Sequence, residues 1–133
     1  GDPTNEILWF SLGSVYDNLG KSDLAAEAYL KALELDGSYF DANYNLGAMY
    51  FNEAVQGINA ANDMWKPRMT KAESAEQKAL EDAAKETFME ARPFLEAAHE
   101  VNPEDIDTIR SLRDIYARTG QDELMLKMSG LLK

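Results

Sequence analysis

Apolar residues recur at spacings of three and four along most of the chain, as in Phe51, Ala54, Ile58, Ala61 and Trp65, and again in Leu80, Ala84, Thr87, Ala91, Phe94 and Ala98. That period places them on one face of a helix. No segment combines strict alternation with turn chemistry, so no sheet is expected. Helices are predicted over 5–18, 22–35, 39–66, 71–101, 104–118 and 121–132, paired as three hairpins. Gly20 and Gly120 mark turns that accept a left-handed backbone, and Pro67 stops the third helix. Start signals are Ser22, Ser38 with Asp41, Asn102 with Pro103 and Asp105, and Thr70, whose partner Glu73 completes a capping box.

The helical faces repeat. Leu12, Gly13 and Tyr16 return 34 residues later as Leu46, Gly47 and Tyr50, and Leu112 and Tyr116 follow after a further 66. Small residues at Gly13, Gly47, Ala25, Ala32, Ala91 and Ala98 alternate with large ones, as close packing of antiparallel helices requires. Trp9, Leu12, Gly13, Tyr16, Ala25 and Tyr29 follow the pattern W-x2-L-G-x2-Y then A-x3-F, so the chain resembles the tetratricopeptide repeat family. The resemblance implies an all-α, right-handed superhelix of helical hairpins, with repeat one at about 6–39, repeat two at about 40–105 and repeat three at about 106–133. Repeat three departs from the pattern, with Arg113 where Gly13 and Gly47 stand and Ser129 where Tyr29 stands.

The second spacing exceeds one period by 32 residues, which fall at about 53–84 in the middle repeat. Helical phase holds on both arms, so the hairpin is lengthened and not broken. Shared equally, the extra residues project roughly 20–25 Å beyond the repeats. Glu81–Lys85 and Lys78–Asp82 are spaced to pair, and Pro93 should bend the returning arm. Met64, Trp65 and Met69 lie at the tip, where aromatic and thioether side chains suit an interface; the alternative is a neutral elongation.

Composition narrows the function classes. A net charge of −11 and a pI near 4.4 oppose binding to nucleic acid or an anionic membrane surface. No stretch is long and apolar enough to insert into a membrane, and there is no cysteine for disulfides or thiolate chemistry. His99 is the single histidine, expected on a solvated helix face, and the carboxylates from Glu73 to Glu90 read as a solvent face. Neither an enzyme nor a cofactor or metal site is indicated.

The family resemblance implies a binding scaffold whose first helices line a concave face. By register that face offers Phe10, Ser14 and Asp17, then Asp41, Tyr44 and Ala48, then Asp107, Arg110 and Asp114. Phe10 and Ser14 stand where a chaperone-binding subclass carries lysine and asparagine, and only Asn45 remains, so that activity is not expected. The expected partner is another protein or peptide, apolar or basic, since the aromatic floor carries several aspartates. The second function class is self-association, through the extended hairpin and the chain ends, giving a homo-oligomer. By analogy, extended-hairpin members suggest a bacterial protein of the cytoplasm or cell envelope. Asp2-Pro3 sits one period before Asp36-Gly37, which reads as the close of a preceding repeat in a longer protein.

Overall fold

A computed structural model describes residues 5–133 and, among them, contains helices and turns only. The elements are α1 (Asn5–Asn18), α2 (Ser22–Leu35), α3 (Phe40–Asp63), α4 (Lys71–Val101), α5 (Ile106–Arg118) and α6 (Asp122–Leu131). Each helix packs against its chain neighbour, and α3 also touches α5. This is the tetratricopeptide-type α-α arrangement, three hairpins in series with a long middle one. Asp2 and Pro3 lie outside the described residues.

The small-against-large packing appears in atomic detail. A Cβ placed on Gly13 would stand 2.6 Å from the Tyr29 ring, and one on Gly47 would stand 2.6 Å from Leu95 Cγ. Tyr29 and Leu95 are fully buried, so in the first two hairpins the second helix drives a large side chain onto the bare backbone of the first. Gly20 and Gly120 both have φ of 74° and close the turns into α2 and α6.

Two clusters make the core. Tyr29, Ala25 and Leu46 join the first hairpin to the second, with Phe10, Tyr16, Met49 and Phe94 against them. Phe88, Leu95, Ile109, Leu112 and Ile115 join the second to the third, with Phe51 meeting Phe88 edge-on.

Helix starts differ from the sequence expectation at three places. Ser22 is already helical and makes no cap, the position before it being Lys21. Ser38 turns back to Asp36 instead, its N–H and hydroxyl both donating to that carboxylate, and Tyr39 precedes α3. Pro103 stays in the turn, and Asp105 caps α5 by accepting from the Thr108 N–H and hydroxyl. At the second and third of these a short polar residue bonds locally before the helix begins. Thr70 and Glu73 do form the reciprocal capping box.

The middle hairpin is lengthened unequally. α3 has 24 residues and α4 has 31, against 14 in both α1 and α2. The predicted third helix to residue 66 stops at Asp63, where Gln77 from the returning arm donates to the Ala61 carbonyl and satisfies the fraying end. The remaining residues form the tip, tied by the Lys66–Glu73 ion pair. Pro93 lies inside α4, which continues across it to Val101. Lys78–Asp82 pairs at 2.9 Å, whereas Glu81–Lys85 is not among the ion pairs of the described residues.

Candidate functional site

The nine sequence-predicted face residues fall on the three first helices, α1, α3 and α5, but they do not form one floor. Phe10 is held between rings, 5.6 Å from Tyr29 and 5.3 Å from Tyr39. It is half-buried and belongs to the joint between hairpins as much as to a surface. Tyr44 stacks on Phe40 at 5.9 Å and packs against the second core cluster. Asp17 accepts from the Tyr29 hydroxyl at 3.4 Å, about two turns of α1 beyond Phe10. Asp114 pairs with its neighbour Arg113, Arg110 and Asp41 are exposed, and Ser14 and Ala48 are half-buried in mid-helix.

What the fold brings together is an aromatic strip near the starts of α3 and α5, ringed by acids. Burial raises the Tyr39 phenol above its usual range, and Asp41, Glu6 and Asp36 raise it further. Burial raises Tyr44 in the same way, with Asp107 and then Asp105 adding to it. Both phenols thus feel carboxylates from successive elements: α1 and the α2–α3 turn around Tyr39, and the start of α5 around Tyr44. Among the described residues none of these five carboxylates sits in an ion pair. Asp36 and Asp105 are fixed by accepting local hydrogen bonds, so two of the five rim carboxylates are held in place.

Sequence reasoning found Phe10, Asp41, Tyr44 and Asp107 in this strip and missed Tyr39, Phe40, Glu6, Asp36 and Asp105. A signal was present. Phe40 opens the helix four residues before Tyr44, directly after Tyr39, and aromatic pairs at that spacing share a helix face.

A second acidic depression lies at the other end of α1. Asp17, Asp23 and Glu53 line it with Ala26, Met49 and Tyr50, and no lysine or arginine is among its lining residues. The Tyr50 phenol is raised by burial first and by Glu90 and Glu53 next.

At the hairpin tip Trp65 is 67% exposed, while Met64 and Met69 are half-buried. His99 departs from expectation. It is half-buried, its Nδ1 is shielded from solvent without a hydrogen-bond partner among the described residues, and it lies on the α4 face that shares a depression with Tyr116 of α5 and Leu124 and Met128 of α6. Among the described residues no group of three or more His, Cys, Asp or Glu could hold a metal ion, and no helix is long and apolar enough to cross a membrane.

Comparison with known proteins agrees with the repeat reading. Residues 7–39 match the tetratricopeptide repeat family. The chain is similar to peroxisomal targeting signal receptors of three yeasts. Identity is 42% over 50 residues with that of Candida albicans, covering 38% of this chain and 8% of the relative. It is 25% over 130 residues with that of Candida glabrata, covering 93% and 20%. It is 35% over 68 residues with that of Kluyveromyces lactis, covering 47% and 12%. The chain therefore spans at most a fifth of the length of these relatives.

Proposed function

We propose that the chain is a non-catalytic protein-interaction module and that the aromatic strip receives a segment of a partner bearing both basic and apolar side chains. One observation carries this reading: two aromatic pairs, Phe10–Tyr39 and Phe40–Tyr44, lie among five carboxylates, none of them in an ion pair among the described residues. Rings already fixed by packing lose little freedom when a ligand covers them. Unneutralised carboxylates at the rim attract a cationic segment and orient it before contact. The charge of −11 on the whole chain acts in the same direction at longer range.

The repeat match and the similarity to receptors of a targeting signal support a protein ligand in general. The nine face residues named from the sequence enter this proposal unequally. Asp41, Tyr44 and Asp107 contact the ligand directly, Phe10 supports Tyr39 from beneath, and Asp17 belongs to the second depression.

The test uses a peptide of alternating lysine and leucine, with an alternating glutamate and leucine peptide as control. The lysine peptide should bind, and the Asp41→Lys/Asp107→Lys variant should lose roughly tenfold or more in affinity, chiefly through the association rate. Phe40→Ala should weaken binding while leaving the fold intact, because Phe40 is outside both core clusters. Equal binding of the two peptides, or no response to the double charge reversal, would sink the proposal.

A further inference from the structure

The long middle hairpin meets a tight turn on each flank, and the two notches so formed carry opposite charge. Gly20 and Gly120 stand 100 residues apart with the same φ of 74°, each in the turn of a short hairpin. Where the α1–α2 turn meets α3, the depression holds Asp17, Asp23 and Glu53. Where the α5–α6 turn meets α4, a depression of about 650 Å³ holds Lys85, Arg92 and Arg118, with Met89 and a single carboxylate, Glu86. That composition reverses the excess of 24 acids over 13 bases in the whole chain.

The cations share one face of α4. Lys85, Phe88 and Arg92 follow at spacings of three and four along it. The Arg118 guanidinium, from the last turn of α5, lies 5.5 Å from the centre of the Phe88 ring and brings a third cation to that face. Arg92 is held on three sides: it lies 5.5 Å over the Tyr116 ring, pairs with Glu96 and donates to the Gln121 side-chain carbonyl. Gln121 is fixed in turn by donating to the Thr119 hydroxyl at 2.7 Å. Lys85 and Arg118 are exposed and take part in no ion pair among the described residues, whereas Lys78, one heptad before Lys85, is already paired with Asp82. Guanidinium groups spread on rings are weakly hydrated and lose little freedom when they meet a carboxylate.

We propose that this notch binds an acidic segment of another protein, whose side-chain carboxylates meet Lys85 and Arg118 while an apolar side chain covers Met89. Lys85 and Arg92 are two turns apart, about 10 Å along the axis, so the charges answer several carboxylates on one segment and not one compact anion. Met89 is 42% exposed on the same face and offers an apolar contact that a free anion could not use. A nucleic acid or an anionic bilayer would bring far more negative charge against a chain of −11 than three cations offset. The same net charge repels an acidic peptide at long range, so this contact is weaker than that of the aromatic strip with a lysine peptide.

The test is a titration of the intact chain, followed by amide chemical shifts, with a peptide of repeating glutamate-glutamate-leucine and a glutamine-glutamine-leucine control. Acetyl and amide caps on both peptides leave side-chain carboxylates as the acidic groups. The acidic peptide should produce saturable shifts at Lys85, Met89, Arg118 and Gln121, and its affinity should fall roughly tenfold or more in Lys85→Glu/Arg118→Glu. Lys85→Glu alone, at an exposed position outside both core clusters, should keep the wild-type melting curve and still weaken binding roughly threefold. Phe40→Ala should bind the acidic peptide as the wild type does, and Lys85→Glu should bind the lysine–leucine peptide as the wild type does, so either proposal can fail without the other. No saturable shift up to about 10 mM peptide, equal binding of the glutamine control, or affinity unaffected by the double charge reversal overturns the proposal. So does inorganic phosphate that reproduces the shifts at the same concentration, which would make the notch a general anion site.

Discussion

At Gly13 and Gly47 the identity of one residue sets the separation of two helices, because Tyr29 and Leu95 occupy the space a Cβ would need. Gly47→Ala gains about 1 kcal/mol of helix propensity but forces a fully buried Leu95 to shift, at a cost of about 1–3 kcal/mol. Net destabilisation of up to about 2 kcal/mol is expected in urea unfolding. Gly130→Ala, with nothing within 4 Å, should be neutral or slightly stabilising in the same assay. The two phenols of the strip offer a second residue-scale test. Tyr39 and Tyr44 have folded pKa values raised above 10.0. Their contribution to stability is therefore complete below pH 10, where both states are neutral. It is lost as pH rises from there through the raised values, because the unfolded chain deprotonates first. Phenolate absorbance should show these two tyrosines titrating later than in urea, and Tyr39→Phe should reduce the alkaline loss of stability. Much at this scale was legible in the sequence, since a glycine one period from another, the first sixteen residues before Tyr29 and the second sixteen plus the 32 added residues before Leu95, announces a close approach. The local caps were not legible, because Ser38 and Asp36 satisfy each other through a turn that periodicity does not describe.

The extended hairpin shows what periodicity conveys about an element and what it omits. Preserved phase on both arms gave the extension, its two helices and the capping box at Thr70. It did not give the uneven arm lengths or the bond from Gln77 across to the Ala61 carbonyl, a contact between residues 16 apart. Thr70→Ala removes the acceptor for the Glu73 N–H and should cost about 1 kcal/mol. The loss should show as faster amide exchange in the first turn of α4, with the rest of the molecule unchanged. Acid should act on the same element. Lys66 and the Thr70 backbone and hydroxyl hold the Glu73 carboxyl below its usual 4.5. Its capping interaction is thus complete above that value and is lost as pH falls through the lowered one. Replacing residues 53–84 with a short turn tests the tip as an interface. Retention of every interaction by such a variant would make the extension a neutral elongation, and loss of one would assign Trp65 and its neighbours a contact.

Across the whole molecule, the register of three hairpins decides which surfaces are occupied. Residues that are core in α3 and α5 are surface in α1, and aromatic side chains named from the sequence as a binding floor divide between core and strip. Phe10 illustrates the division: its register position marks it as a face residue, while Tyr29 and Tyr39 enclose it. Register alone could not reveal this, because the enclosing rings come from two other segments. The acidic character of the strip, by contrast, follows from a composition visible at once. The central claim is that this strip, and no other surface, receives a basic and apolar segment. The most direct measurement is an amide chemical-shift map of the intact chain titrated with the alternating lysine–leucine peptide. Saturable shifts concentrated at Glu6, Tyr39, Phe40, Asp41, Tyr44 and Asp107, diminishing as salt rises, are the predicted result. Shifts centred on the hairpin tip or the outer face of α1, or none that saturate, would contradict it.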